Sequence, residues 1–350
     1  MITLTETTRF PCTLQFVNTA IALRADPGGS VEEIGSTVAR GPDGRFYTSM
    51  SRAGSISVWK PDGTWLRNFG TYGQGPGELA RGTHNILFDK AGRLYVGDNN
   101  RRWTIFSPTY EFVRTVPGGA MGTGALGSAA LLDDGNLVSS FKAAGGAFHI
   151  YDVTQTTATV PPVVRSMGPA LQMGGQRISH AGGNTFWTAP PDGEGLGYVL
   201  EQWRTDGTLV RTIRRAVPWM RSGDAAKLGS PLPPPEIEGL HDDGTGIVYV
   251  TLMVPNKTFL DITPEQRRDR SPDGAMNKSI DIYIEAIDVN AGVVLGAIGP
   301  IHPAEATKLI PLGYLRASRL AYRREEDADG FPIMRIVEAQ LTSAAGSRKP

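Results

Sequence analysis

The chain has 350 residues, 40% of them apolar and 20% charged, which is enough apolar surface for a sizeable core and too little charge for disorder. Lys+Arg and Asp+Glu are equal at 35 each, so no excess charge argues for nucleic acid or an anionic membrane surface as partner. No run approaches the roughly 18 apolar residues of a membrane span, and the lone Cys12 excludes an intrachain disulfide.

In chain order, the opening MITLTETTRFPCTLQF lacks a basic segment followed by an apolar one, so no signal peptide is predicted. Residues 13–24, TLQFVNTAIALR, alternate like a strand but belong to no local hairpin. A recurring unit then begins. Residues 41–49 read GPDGRFYTS, 89–98 DKAGRLYVGD, 133–140 DDGNLVSS, 182–188 GGNTFWT and 242–251 DDGTGIVYVT. Each is a glycine-centred tight turn running into β-branched and aromatic residues, the signature of a hairpin. The turn glycines Gly44, Gly92, Gly135, Gly183 and Gly244 are spaced by 48, 43, 48 and 61 residues. A second turn recurs in 57–67 (SVWKPDGTWLR), 104–114 (TIFSPTYEFVR), 200–211 (LEQWRTDGTLVR) and 284–296 (IEAIDVNAGVVLG). A four-stranded unit repeated every ~40–50 residues predicts a propeller.

The predicted fold is therefore all-β: one six-bladed β-propeller domain over 1–350, with four-stranded antiparallel blades. Blade 1 covers 34–80, blade 2 81–120, blade 3 121–170, blade 4 171–220, blade 5 230–300 and blade 6 311–342. The sixth, LRASRLAYRREEDADGFPIMRIVEAQLT, lacks an outer strand. The strand 13–24 is expected to supply it and close the ring, which removes the exposed edges that template aggregation. Blade 5 carries a polar insertion, 255–279, and long loops on rigid scaffolds are disproportionately functional. The run Arg323–Asp327 cancels its own charge and predicts a solvated hairpin tip. Trp59, Trp65, Trp103, Phe106, Trp187 and Trp203 fall on strands and predict packing between blades, whereas Trp219 falls in a linker and is a candidate exposed binding residue.

Two stretches carry a resemblance. Gly92-Arg93-Leu94-Tyr95-Val96-Gly97-Asp98-Asn99-Asn100, followed by Ile105-Phe106, resembles the unit of NHL-type six-bladed propellers. The segment Phe69-Gly70-Thr71-Tyr72-Gly73-Gln74-Gly75-Pro76-Gly77-Glu78-Leu79 is similar to the linkers between such blades. The resemblance is to bacterial six-bladed propeller proteins of undefined role; it implies the fold and leaves the activity open. Exported members of that family begin with a signal peptide. The sequence as given therefore reads as cytoplasmic, or as extracytoplasmic if its start is missing.

Named catalytic signatures are absent: there is no GxSxG, HExxH or Walker A motif. Gly122-Thr123-Gly124-Ala125-Leu126-Gly127 matches GxGxxG, but an inner strand and its turn follow where a dinucleotide site needs a helix. Propellers bind ligands at the mouth of the central channel, lined by each blade's inner strand and the loop entering it. Counting back from the turn glycines assigns His84, Asn85, Gln176, Arg177, Glu236 and Glu238 to one mouth, with Arg316 or Arg319 added by blade 6. His180 and His241 fall at the other end of their strands. Glu236 and Glu238, two residues apart on a strand, are expected to share a face and to repel each other unless an arginine or a cation lies between them.

The first functional reading is a non-catalytic propeller that recognises a small molecule, peptide or protein on that face. The second is a metal-dependent, lactonase-like hydrolase or lyase using the same mouth, in which calcium or magnesium would be held by the carboxylates and amides. An arginine between the two glutamates favours the binder, a metal the enzyme. No catalytic residue is assigned, and the chain is expected to be a monomer.

Overall fold

The computed structural model describes residues 1–4, 9–25, 31, 34–35, 37–50, 53–80, 82–83, 85–98, 100, 102–117, 129–143, 146–154, 163–168, 176–190, 198–217, 232, 235–266, 274–301, 311, 313–316 and 318–343. The chain opens with β1 (Ile2–Leu4) and β2 (Cys12–Arg24). Blade 1 follows as β3 (Val38–Arg40), β4 (Phe46–Met50), β5 (Ser55–Trp59) and β6 (Trp65–Phe69). The linker carries β7 (Thr71–Tyr72) and β8 (Glu78–Leu79), which pair in parallel. Blade 2 is β9 (Asn85–Phe88), β10 (Leu94–Asp98), β11 (Arg102–Phe106) and β12 (Phe112–Pro117). Blade 3 is β13 (Ala129–Leu131), β14 (Asn136–Ala143), β15 (Gly146–Asp152) and β16 (Val163–Met167). Blade 4 is β17 (Arg177–His180), β18 (Thr185–Ala189), β19 (Tyr198–Arg204) and β20 (Leu209–Arg215). Blade 5 is β21 (Glu236–Asp242), β22 (Ile247–Pro255), β23 (Ile280–Asp288) and β24 (Val293–Ile301). Blade 6 runs from β25 (Gly313–Tyr314) through β26 (Leu320–Glu326) and β27 (Pro332–Ser343) to β2 on the outside.

The six antiparallel blades form the expected propeller, and β2 closes the ring. It pairs with β27 from Cys12↔Ser343 to Arg24↔Ile333. One feature is additional: β1 joins blade 4 as a fifth strand, parallel to β20, with Ile2↔Ile213 and Leu4↔Arg215 in register. The N-terminal segment thus runs from the edge of blade 4 past β24, where the Cα of Gly296 faces Cys12 and Leu14, to the edge of blade 6.

The apolar side chains gather into one cluster per seam between neighbouring blades. Tyr47, Ile56 and Phe69 of blade 1 meet Ile86, Phe88 and Phe106 of blade 2. Trp103 and Val116 meet Leu137 and Tyr151, and Phe148 and Ile150 meet Ile178 and Phe186. Trp187 and Leu200 meet Val248 and Val250, with Leu4 of β1 joining them. Tyr249 and Ile284 meet Leu14 and Ala339, and Leu23 and Met334 meet Phe46 and Trp59. Blade-to-blade packing therefore accounts for Trp59, Trp103, Phe106 and Trp187, which are fully buried; Trp65 is 38% exposed on its outer strand. Trp187 also donates from Nε1 to Asp242 of blade 5 at 2.9 Å.

The turns follow their local chemistry. Gly92 has φ 79° and its N–H bonds the Asp89 carbonyl at 3.0 Å. A Cβ there would meet nothing closer than 3.6 Å, so positive φ and not crowding requires the glycine. In the outer turn of blade 2 that position is held by Tyr110 at φ 68°, where blades 1 and 4 have Gly63 and Gly207. Its ring stacks on Phe69 at 4.8 Å and its hydroxyl takes a bond from Arg45 at 3.0 Å, contacts that offset the backbone strain. The linker that resembles those of NHL propellers is tied by Arg102, which donates to the carbonyls of Gly73, Gln74 and Glu78 and to the buried Asp98. The charged run 323–327 lies mostly on β26 and not at a tip. Arg323 and Arg335 both bond Glu325, and Arg323 reaches Asn18 of β2.

Candidate functional site

Each inner strand is entered from the preceding blade at one end and leaves through its tight turn at the other. Together these strands enclose a channel with a cavity of about 260 Å³. Its middle is apolar, formed by Val38, Ile86, Ala130, Ile178 and Leu240, because the side chains that alternate inward on these short strands are small or aliphatic. Its two ends are polar.

At the entry end Asn85 opens β9 and lines the cavity, 6% exposed, with no bond to its Nδ2 among the described residues. Arg177 opens β17 and pairs with Glu238 of blade 5 at 2.6 Å. The arginine is thus the group that meets Glu238. Glu236 is exposed and not part of the cavity lining. A bulge explains the separation: Ile237 pairs with Leu252 and Gly239 with Thr251, so Glu238 is an extra residue and strict alternation breaks there. Gln176 is buried beside the channel as a strut: its N–H donates to Ser140 Oγ at 2.8 Å and its Oε1 accepts from Thr188 at 2.6 Å. His84, Trp219 and the Gly122–Gly127 stretch lie outside the described residues.

Arg316 does not join this group. It sits at the turn end, just after β25, and extends across the channel. Its Nη1 donates to the Phe88 carbonyl of blade 2 at 2.8 Å and its Nη2 meets Asp133 Oδ1 of blade 3, the blade opposite, at 3.2 Å. Counting back from a turn glycine misplaces it because the inner turn of blade 6 has no glycine and its inner strand is only two residues long. Burial lowers the Arg316 pKa, and the charge of Asp133 acts the other way. Asp133 is shared: Gly183 N–H donates to its Oδ2 at 2.9 Å, and His180 Nε2 lies 3.3 Å from Oδ1. Burial, with the Arg316 cation second, pushes the His180 pKa down to about 4, so the ring is neutral near pH 7.

His241, on β21, is also at the turn end. It stacks on Tyr314 at 4.7 Å and its Nε2 donates to the Ser318 carbonyl at 2.7 Å. Arg319 pairs with Asp243 at 3.1 Å. Arg40 lines the cavity at this end with no ion pair among the described residues. Among the described residues no three His, Cys, Asp or Glu side chains stand together as metal ligands would.

The class that fold and site define is a six-bladed β-propeller with a central channel, apolar at its middle and polar at both ends. No family model matches the chain, and no curated protein sequence matches it. Solved structures that share the fold include two from Bacteroides species. A "putative exported protein" of Bacteroides fragilis is 12% identical over 97% of this chain and 99% of its own, with a TM-score of 0.60. A member of the DUF4221 family from Bacteroides vulgatus is 11% identical over 95% of this chain and 99% of its own, also with a TM-score of 0.60.

Proposed function

We propose that this propeller is a non-catalytic binding protein that takes up its ligand through the entry mouth of the channel. The observation that carries the reading is the Arg177–Glu238 pair at 2.6 Å. It spends the carboxylate that would otherwise hold a cation, and leaves a concave apolar cavity edged by a few polar groups, the usual form of a ligand site. The NHL-type character of the blades and an extracytoplasmic location belong to the same reading. The first is supported by the Gly92–Asn100 unit, the second by the name of the Bacteroides fragilis protein that shares the fold.

The test is a set of melting curves with calcium, magnesium and EDTA. A ligand that binds only the folded state raises its stability by mass action, so a metal-dependent enzyme would melt higher with the cation and lower with the chelator. The expected result is no response to any of them. A calcium- or magnesium-dependent rise reversed by EDTA would overturn the binder and favour the hydrolase or lyase reading.

A further inference from the structure

The turn end of the channel narrows the ligand class. Arg316 spans from blade 6 to blades 2 and 3 and uses one contact to a carbonyl and one to Asp133. A guanidinium has more N–H donors than these two contacts consume. Its side chain keeps 33% of its surface accessible, so a molecule in the channel can reach it. Arg40 belongs to the lining at the same end, but its Nη2 lies against the blade 1 turn, 3.8 Å from where a Cβ on Gly44 would stand. The acids at this end already hold donors: Asp133 accepts from Arg316 and from the Gly183 N–H. Asp242, which also lines the cavity, accepts from Trp187 Nε1 and from Gly244 N–H, and Asp243 is taken by Arg319. His180 is neutral near pH 7 because burial and Arg316 hold its pKa near 4. The far end of the channel therefore offers the unused N–H donors of Arg316, behind a stretch walled by Ile86, Ala130, Ile178 and Leu240. The cavity, of about 260 Å³, suits a short organic molecule.

We propose that the channel is a receptor for a small amphiphilic carboxylate, its head group on Arg316 and its apolar body along the aliphatic wall. This rests on the channel being the binding site, as proposed above. The preference for an anion follows from desolvation. A carboxylate entering an apolar channel loses water and is accepted only where charge-assisted hydrogen bonds replace it. An apolar alcohol or amine of the same length gains the wall contacts without that replacement.

Isothermal titration calorimetry on the full chain tests this, with hexanoate as probe and 1-hexanol and hexylamine as neutral and cationic controls of equal length. Hexanoate is expected to bind at least about tenfold more tightly than either control, a difference of about 1.4 kcal/mol. Arg316→Gln is expected to abolish that preference. Arg316→Lys, which keeps the charge and can keep the Asp133 contact with fewer donors, is expected to weaken hexanoate binding, and it carries the test if Arg316→Gln does not fold. Equal binding of hexanoate and hexanol would overturn the carboxylate class while leaving a binding channel. No binding of any probe would overturn the ligand class while the metal response decides the broader reading separately. Undiminished hexanoate binding in both arginine variants would overturn the assigned head-group site.

Discussion

The seam between blades 4 and 5 contains the ion pair whose removal has the clearest consequence. Arg215 at the end of β20 meets Glu285 of β23 through two bonds, at 3.2 Å from Nε and 3.0 Å from Nη2, with only 2% and 3% of the side chains exposed. Tyr198 lies beside them, its hydroxyl pKa raised by burial and by the Glu285 charge. A charge this deep is tolerated only with its partner. Glu285→Leu leaves an uncompensated guanidinium and Arg215→Met an uncompensated carboxylate, and each is expected to cost about 3–5 kcal/mol. The double variant Arg215→Met/Glu285→Leu removes both charges and fills the space with apolar groups, so its cost should fall below that of either single change. With ~2.1 cal/mol/K of unfolding entropy per residue, a chain of 350 residues should melt roughly 4–7 °C lower in the single variants. Urea titrations and melting curves of the four proteins complete the cycle. Single-variant losses under about 1 kcal/mol, or a double variant equal to the sum of the singles, would refute the argument that the pair is held by mutual compensation.

Two further predictions concern closure and acid. Deleting residues 1–24 removes β2 together with the buried Leu14 and Leu23, worth about 1.5–3 kcal/mol each, and bares β27 as an edge; aggregation or a much lower melting temperature is expected, and an unchanged melting curve would count against closure by β2. His241 is pushed down to about 4, chiefly by burial. Because an unfolded histidine takes its proton near pH 6.5, stability should be full above that pH and decline as pH falls from about 6.5 to 4, by up to about 3 kcal/mol. Urea unfolding at stepped pH should show a shallower slope for His241→Phe, and an identical slope would sink the assignment.

The fold was legible because its signals are local. A hairpin needs a residue at positive φ and strands that suit a pleated sheet, and both are written within ten residues of Gly44, Gly92 and Gly135. The repeat of that unit then implies the propeller, and the strand left over at the start implies closure. Arg177 and Glu238 were within reach of the same reasoning, since each stands at the start of an inner strand in neighbouring blades. What stayed hidden depends on distances across the ring. The bulge that separates Glu238 from Glu236 arises from pairing with Thr251 and Leu252 and has no marker in the strand itself beyond Gly239. The three-residue β1 is too short to declare itself and exists as a strand because blade 4 offers it an edge. Arg316 lies at the opposite end from the one its position in the chain predicts, because a side chain that crosses the channel to Asp133 and Phe88 is positioned by the width of the closed ring. Sequence periodicity decides which segments become strands and in what order they stack. Only closure into six blades decides which charges face one another at the axis, because those contacts join residues from opposite sides of the circle.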